Sequence, residues 1–113
     1  MSSDFIQQIE KIKKGVLENK IIWQKTGANS FVWSTVDSAD RKINLVLQKV
    51  IKENQTSYLF RLWDPIKKIA IFEQISDEID DYDALALMDL YNFVHNNYRK
   101  PGSNVLDDIL NRI

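Results

Sequence analysis

Ile43-Asn44-Leu45-Val46-Leu47-Gln48-Lys49-Val50-Ile51, followed after Glu53-Asn54-Gln55 by Tyr58-Leu59-Phe60-Arg61-Leu62-Trp63-Asp64-Pro65, is the stretch that decides the fold. In the first run Ile43, Leu45, Leu47 and Ile51 alternate with Asn44, Val46, Gln48 and Val50, and Lys49 is the exception on the apolar side. The second run puts Tyr58, Phe60 and Leu62 on one side and Leu59, Arg61 and Trp63 on the other. Alternation with period two marks strands, whose side chains point to opposite faces in turn. The short link between the runs permits a hairpin and excludes a parallel crossover.

The same reading extends in both directions. Upstream, Phe31 to Val36 forms a second strand and Ile21-Ile22-Trp23-Gln24-Lys25 a short first one, divided by the turn Thr26-Gly27-Ala28-Asn29-Ser30. Asp37-Ser38-Ala39-Asp40 turns the chain into the long strand. Downstream, Asp64-Pro65 turns it again, with Asp placed to bond back to the backbone, and Ile69, Ile71 and Phe72 make a fifth strand. Connections this short predict a sequential antiparallel meander.

The flanks change period. Phe5, Ile9, Ile12 and Val16 recur at helical spacing, with Ser3 or Asp4 as the cap and Asn19-Lys20 as the end. Beyond Glu73, Asp80-Asp81 offers caps for a helix with the stripe Ala84, Leu87, Met88, Tyr91, Val94 and Tyr98, stopped by Pro101-Gly102. Ser103 or Asn104 then caps a final short helix whose Val105, Leu106, Ile109, Leu110 and Ile113 are expected to face inward. The expected architecture is therefore α+β over residues 1–113 as a single domain. It has an N-terminal helix, a five-stranded antiparallel meander and two C-terminal helices packed on one face of the sheet.

Composition narrows the class. Hydrophobic residues make up 44% and charged residues 27% of 113, ordinary globular values. No apolar run approaches the roughly 20 residues of a membrane span, and the N-terminus lacks the pattern of a secretory signal. With no cysteine there is no disulfide, thiolate metal site or cysteine nucleophile, and a reducing, cytoplasmic location is the expectation. Charge is uneven: residues 1–72 hold twelve Lys/Arg against seven Asp/Glu, residues 73–113 three against nine. Mutual attraction of the two parts accounts for this split, and a basic binding surface is the other reading.

Motifs for chemistry are absent. The one histidine, His95, sits beside Phe93 and Val94 with no Ser/His/Asp pattern around it. Asp77, Glu78, Asp80, Asp81 and Asp83 are dense in carboxylates, but lack the mid-loop Gly and closing Glu of a calcium loop; a helix start collects such acids through its dipole. Gly15, Gly27 and Gly102 are too scattered for a phosphate loop. No catalytic residue, metal or cofactor is expected, and the protein is read as not an enzyme.

The aromatic residues Trp23, Phe31, Trp33, Tyr58, Phe60, Trp63 and Phe72 share the strands with Lys25, Lys49, Lys52, Arg61 and Lys67. If Leu45, Leu47, Tyr58, Phe60 and Leu62 meet the helices, the other face shows Val46, Gln48, Val50, Leu59, Arg61 and Trp63. Monomers rarely leave a large apolar patch open, and Trp with Arg is enriched at binding hot spots. The expected function is recognition of a protein partner, or self-association as a dimer, around Gln48, Arg61 and Trp63. The alternative is single-stranded nucleic-acid binding by the basic, aromatic-bearing sheet. No membrane partner is expected.

Helix, Trp-bearing first strand (Lys20-Ile21-Ile22-Trp23), meander with an Asp turn (Leu62-Trp63-Asp64), Leu90-Tyr91 helix and Leu106-Asp107-Asp108-Ile109-Leu110 follow one another in this order. The order resembles a loosely defined family of small, mostly uncharacterised bacterial helix/β-meander/helix domains. The chain departs from that pattern where Phe93-Val94 replaces an Ala-Arg pair and where Asp64-Pro65 replaces an Asp-Gly turn. The resemblance implies the fold and a bacterial or phage setting, and no reaction.

Overall fold

A computed structural model describes residues 4–98 and 103–113. Helix α1 (Asp4–Leu17) leads into strands β1 (Gln24–Gly27), β2 (Ser30–Val36), β3 (Lys42–Lys52), β4 (Gln55–Asp64) and β5 (Ile69–Ile75), and helices α2 (Asp81–Asn97) and α3 (Ser103–Leu110) follow. The strands form one antiparallel sheet in the order β1-β2-β3-β4-β5. The α+β architecture and the sequential meander thus agree with the alternating pattern.

Local chemistry sets the boundaries. At the end of α1 the N–H of Asn19 bonds to the Val16 carbonyl at 3.1 Å and that of Lys20 to the Gly15 carbonyl at 2.8 Å, with Asn19 at φ 60°. This paired closure around one left-handed residue is a Schellman cap. Ile21 N–H also bonds to Gly15 O, at 3.1 Å. Its donor is thereby drawn into the helix end, and β1 starts at Gln24, not at Ile21 as the β-forming run suggests. Trp23, ahead of the strand, is 1% exposed and fills the core instead.

Between β3 and β4, Lys52 pairs with Gln55, and Glu53 and Asn54 have φ 47° and 68°. Two central residues with positive φ give the type I′ turn whose twist matches that of the strands. The β4–β5 turn is held by Asp64, whose Oδ1 accepts from the N–H groups of Ile66 and Lys67 at 2.9 Å each. Asp80 caps α2, accepting from Asp83 N–H at 2.9 Å. The expected Ser3 cap and Pro101-Gly102 stop lie outside the described residues.

The core joins Phe5, Ile9 and Val16 of α1 and Leu87, Leu90, Tyr91 and Val94 of α2 to Trp23, Phe31, Ile43, Leu45, Leu47 and Phe60. Ring contacts tie the layers: Phe5 meets Phe60 at 5.8 Å and Phe72 at 6.3 Å, while Tyr91 meets Phe31 at 5.7 Å and Tyr58 at 5.5 Å. The α2 stripe is rotated slightly from the expected one, with Leu90 buried and Met88 at the surface. Lys13 of α1 bonds to Asp89 of α2 and lies 5.9 Å from the Phe93 ring centre. Partial burial works to lower the Lys13 pKa, and the bond and charge of Asp89, helped by Glu10, outweigh it and hold the ammonium above its ordinary value.

Helix α2 contributes to the core, whereas the α3 stripe expected to face inward is exposed. Val105, Leu106, Ile109 and Leu110 are 52–62% exposed and Ile113 is almost fully so. Tyr98, which ends α2 in an extended conformation, takes a place against Phe31, with ring centres 5.1 Å apart.

Candidate functional site

The strand register builds a lattice on one side of the sheet. Directly opposed residues of an antiparallel pair share a face, so Ser30, Gln48, Leu59 and Ile75 form one row across β2 to β5. Gln24, Val32, Val46, Arg61 and Glu73 form the next, across all five strands. Ser34, Asn44, Trp63 and Ala70 form the third. The ring contacts that join the helices to the sheet fall on Phe31, Tyr58, Phe60 and Phe72, none of which belongs to these rows.

Gln48, Arg61 and Trp63 therefore share a face, as their alternation in the sequence requires. Arg61 is the middle member: Trp63 follows it along β4, and Gln48 is its diagonal neighbour on β3. Arg61 Nε donates to Glu73 Oε2 at 2.7 Å, with both side chains about one-third exposed. Val32, Val46 and Val50 are half-buried, and Leu59 is buried between its row neighbours. Apolar and polar side chains are interspersed on this surface, with Val32 and Val46 adjacent in its middle row.

Beyond the first row this face continues into a cleft of about 280 Å³ lined by Val50, Lys52, Gln55, Ser57, Leu59 and Asp77, among others. Ser57 Oγ donates to Asp77 Oδ2 at 2.6 Å, the length of a charge-assisted O–H bond. The bond ties the turn after β5 to β4. Sequence reading missed this pairing because it depends on the β4–β5 register; an Asp just after a strand and a Ser on the neighbouring strand were its only signals. Activation of Ser57 as a nucleophile would need a base to take its proton. His95 is instead on α2, stacked on Tyr91 at 6.2 Å and edge-on to Phe31.

Among the described residues no three His, Asp or Glu side chains are close enough to hold a metal ion, and no helix is long and apolar enough to cross a membrane. Most of the aromatics expected on the strands face the core: Trp23, Phe31 and Phe60 are buried, and Trp33, Tyr58 and Phe72 pack against the core cluster. Trp63 is the aromatic residue of the three rows. No protein-family model, curated protein or solved structure matches the chain.

Proposed function

We propose that this protein is a non-enzymatic interaction domain that recognises a protein partner, a second copy included, through the side of its sheet bearing Gln48, Arg61 and Trp63. In this reading α1 and α2 occupy the other side and leave this one open. The observation that carries it is the middle row, in which Val32 and Val46 lie between Gln24 and the Arg61–Glu73 pair. An apolar strip bordered by an oriented guanidinium and flanked by a tryptophan matches the residue types concentrated at binding hot spots.

The test substitutes Arg61→Ala and Trp63→Ala, separately and together. Truncating a hot-spot residue costs about 2 kcal/mol or more, so binding of a partner captured by the intact protein is expected to weaken roughly 30-fold. Circular dichroism and the melting transition should stay close to those of the parent. Unchanged affinity in a folded double variant overturns the reading.

A further inference from the structure

The cleft at the β3–β4 turn end of the sheet holds two opposite charges that do not meet. Lys52, the last residue of β3, and Asp77, in the segment after β5, line the same cavity of about 280 Å³. Both are exposed, and neither takes part in an ion pair among the described residues. Neighbouring strands lie about 4.8 Å apart, so β4 keeps β3 and β5 roughly 10 Å from each other. The ammonium and the carboxylate thus belong to separate walls. Between them the lining is aliphatic: Leu59 of β4 is buried, and Val50 and Ile75 of the flanking strands are half-buried. The bond from Ser57 Oγ to Asp77 Oδ2 at 2.6 Å fixes the carboxylate at its wall and leaves Oδ1 free to accept a second donor.

We infer that this cleft binds a small zwitterion with an aliphatic side chain, of the class of the branched α-amino acids. Its ammonium meets Asp77 Oδ1, its carboxylate meets Lys52, and its side chain covers Val50, Leu59 and Ile75. Size restricts the ligand, because the cavity lies just under the ~300–1,000 Å³ of drug-sized sites. Charge selects the class. A simple cation in the cleft would face the unpaired Lys52, and a simple anion would face Asp77. A ligand that carries both signs answers both walls, with the charge-assisted hydrogen bonds that are the stronger kind. The aliphatic lining adds burial of apolar surface, which favours a side chain of the same type. The cleft includes none of Gln48, Arg61 and Trp63, so this inference and partner recognition around Arg61 can fail separately.

The test titrates isotope-labelled protein, followed by amide NMR, with leucine, with N-acetyl-leucine, which lacks the ammonium, and with leucinamide, which lacks the carboxylate. Leucine is expected to shift the amides of Ser57, Leu59, Ile75 and Asp77 saturably. Each blocked form should bind at least about tenfold more weakly, the worth of one hydrogen bond to a charged group. Two variants assign the walls. Asp77→Asn should weaken leucine by the same factor and leave N-acetyl-leucine unchanged, because that ligand has no ammonium to lose. Lys52→Met, at an exposed strand end where folding does not depend on it, should weaken leucine and leave leucinamide unchanged. A merely structural role for either residue would move both ligands together. The absence of saturable shifts with leucine overturns the inference, as do equal affinities for the three ligands or saturable shifts confined to residues outside the cleft.

Discussion

Arg61 and Glu73 are directly opposed across β4 and β5 and are joined by a 2.7 Å bond from Nε to Oε2. The bond engages one of the five N–H donors of a guanidinium and orients the rest over the side of the sheet that carries Trp63. Its worth for stability is small, since exposed ion pairs typically contribute about 0–1 kcal/mol and are screened by salt. Its worth in the proposed recognition is orientation. Glu73→Gln should therefore lower stability by less than about 1 kcal/mol, less still at high salt, and weaken partner binding more than it weakens folding. Paired melting and binding measurements at low and high salt check this.

The β3–β4 turn leaves room for improvement. Glu53 and Asn54 both sit at positive φ, and a residue other than Gly or Asn in the left-handed region costs roughly 1–2 kcal/mol. Replacing the pair by Asn-Gly, the preferred type I′ sequence, with Glu53→Asn and Asn54→Gly, should stabilise the domain by about 1 kcal/mol. The urea midpoint should rise while the slope of the transition is unchanged.

The cap at Asn19 gives the opposite sign. Asn tolerates the φ of 60° found there, while alanine does not, so Asn19→Ala should cost about 1 kcal/mol. Asn19→Gly should match or exceed the parent, because glycine enters this region without steric penalty. If both variants lose the same stability, measured by urea denaturation, the left-handed cap is not what closes α1.

The strand pattern was legible because burial on one side leaves a period-two trace. Leu45, Leu47, Phe60 and Leu62 show it, and the co-location of Gln48, Arg61 and Trp63 follows from parity alone. What parity does not encode is register. The partners Glu73 for Arg61 and Asp77 for Ser57 depend on how β5 slides against β4, and a shift between Leu62 and Trp63 hides that from any count along the chain. Ile21 and Ile22 carry strong β preference, yet the α1 cap claims the Ile21 N–H and delays the strand. The stripe of α3 was equally readable as a stripe, but amphipathicity alone does not say whether the stripe is covered, and here it is exposed.

Asp64 yields the prediction with a pH signature. Its side chain is 2% exposed at the β4–β5 turn, and its carboxyl is held below the ordinary 3.8 chiefly by the Lys67 N–H. Burial opposes this, while the Ile66 N–H and the charges of Lys67 and Arg41 reinforce it. A carboxyl with a depressed folded pKa gives stability that is fully present above its unfolded value and is lost as pH falls through the folded one. Asp64→Asn retains an Oδ1 acceptor for both backbone donors but removes the ionisation. Asp37, also lowered and led by its bond from the Arg41 N–H, titrates in the parent and the variant alike and drops out of their comparison. The stability difference between parent and Asp64→Asn should thus be constant above about pH 5 and shrink as the pH is lowered through the carboxylate range. Asp64→Ala, which loses the acceptor as well, should be the least stable of the three at neutral pH. Urea midpoints taken at steps from pH 7 down to about pH 2.5 decide the matter, and parallel curves for parent and Asp64→Asn would show that the charge of Asp64 does not hold the turn.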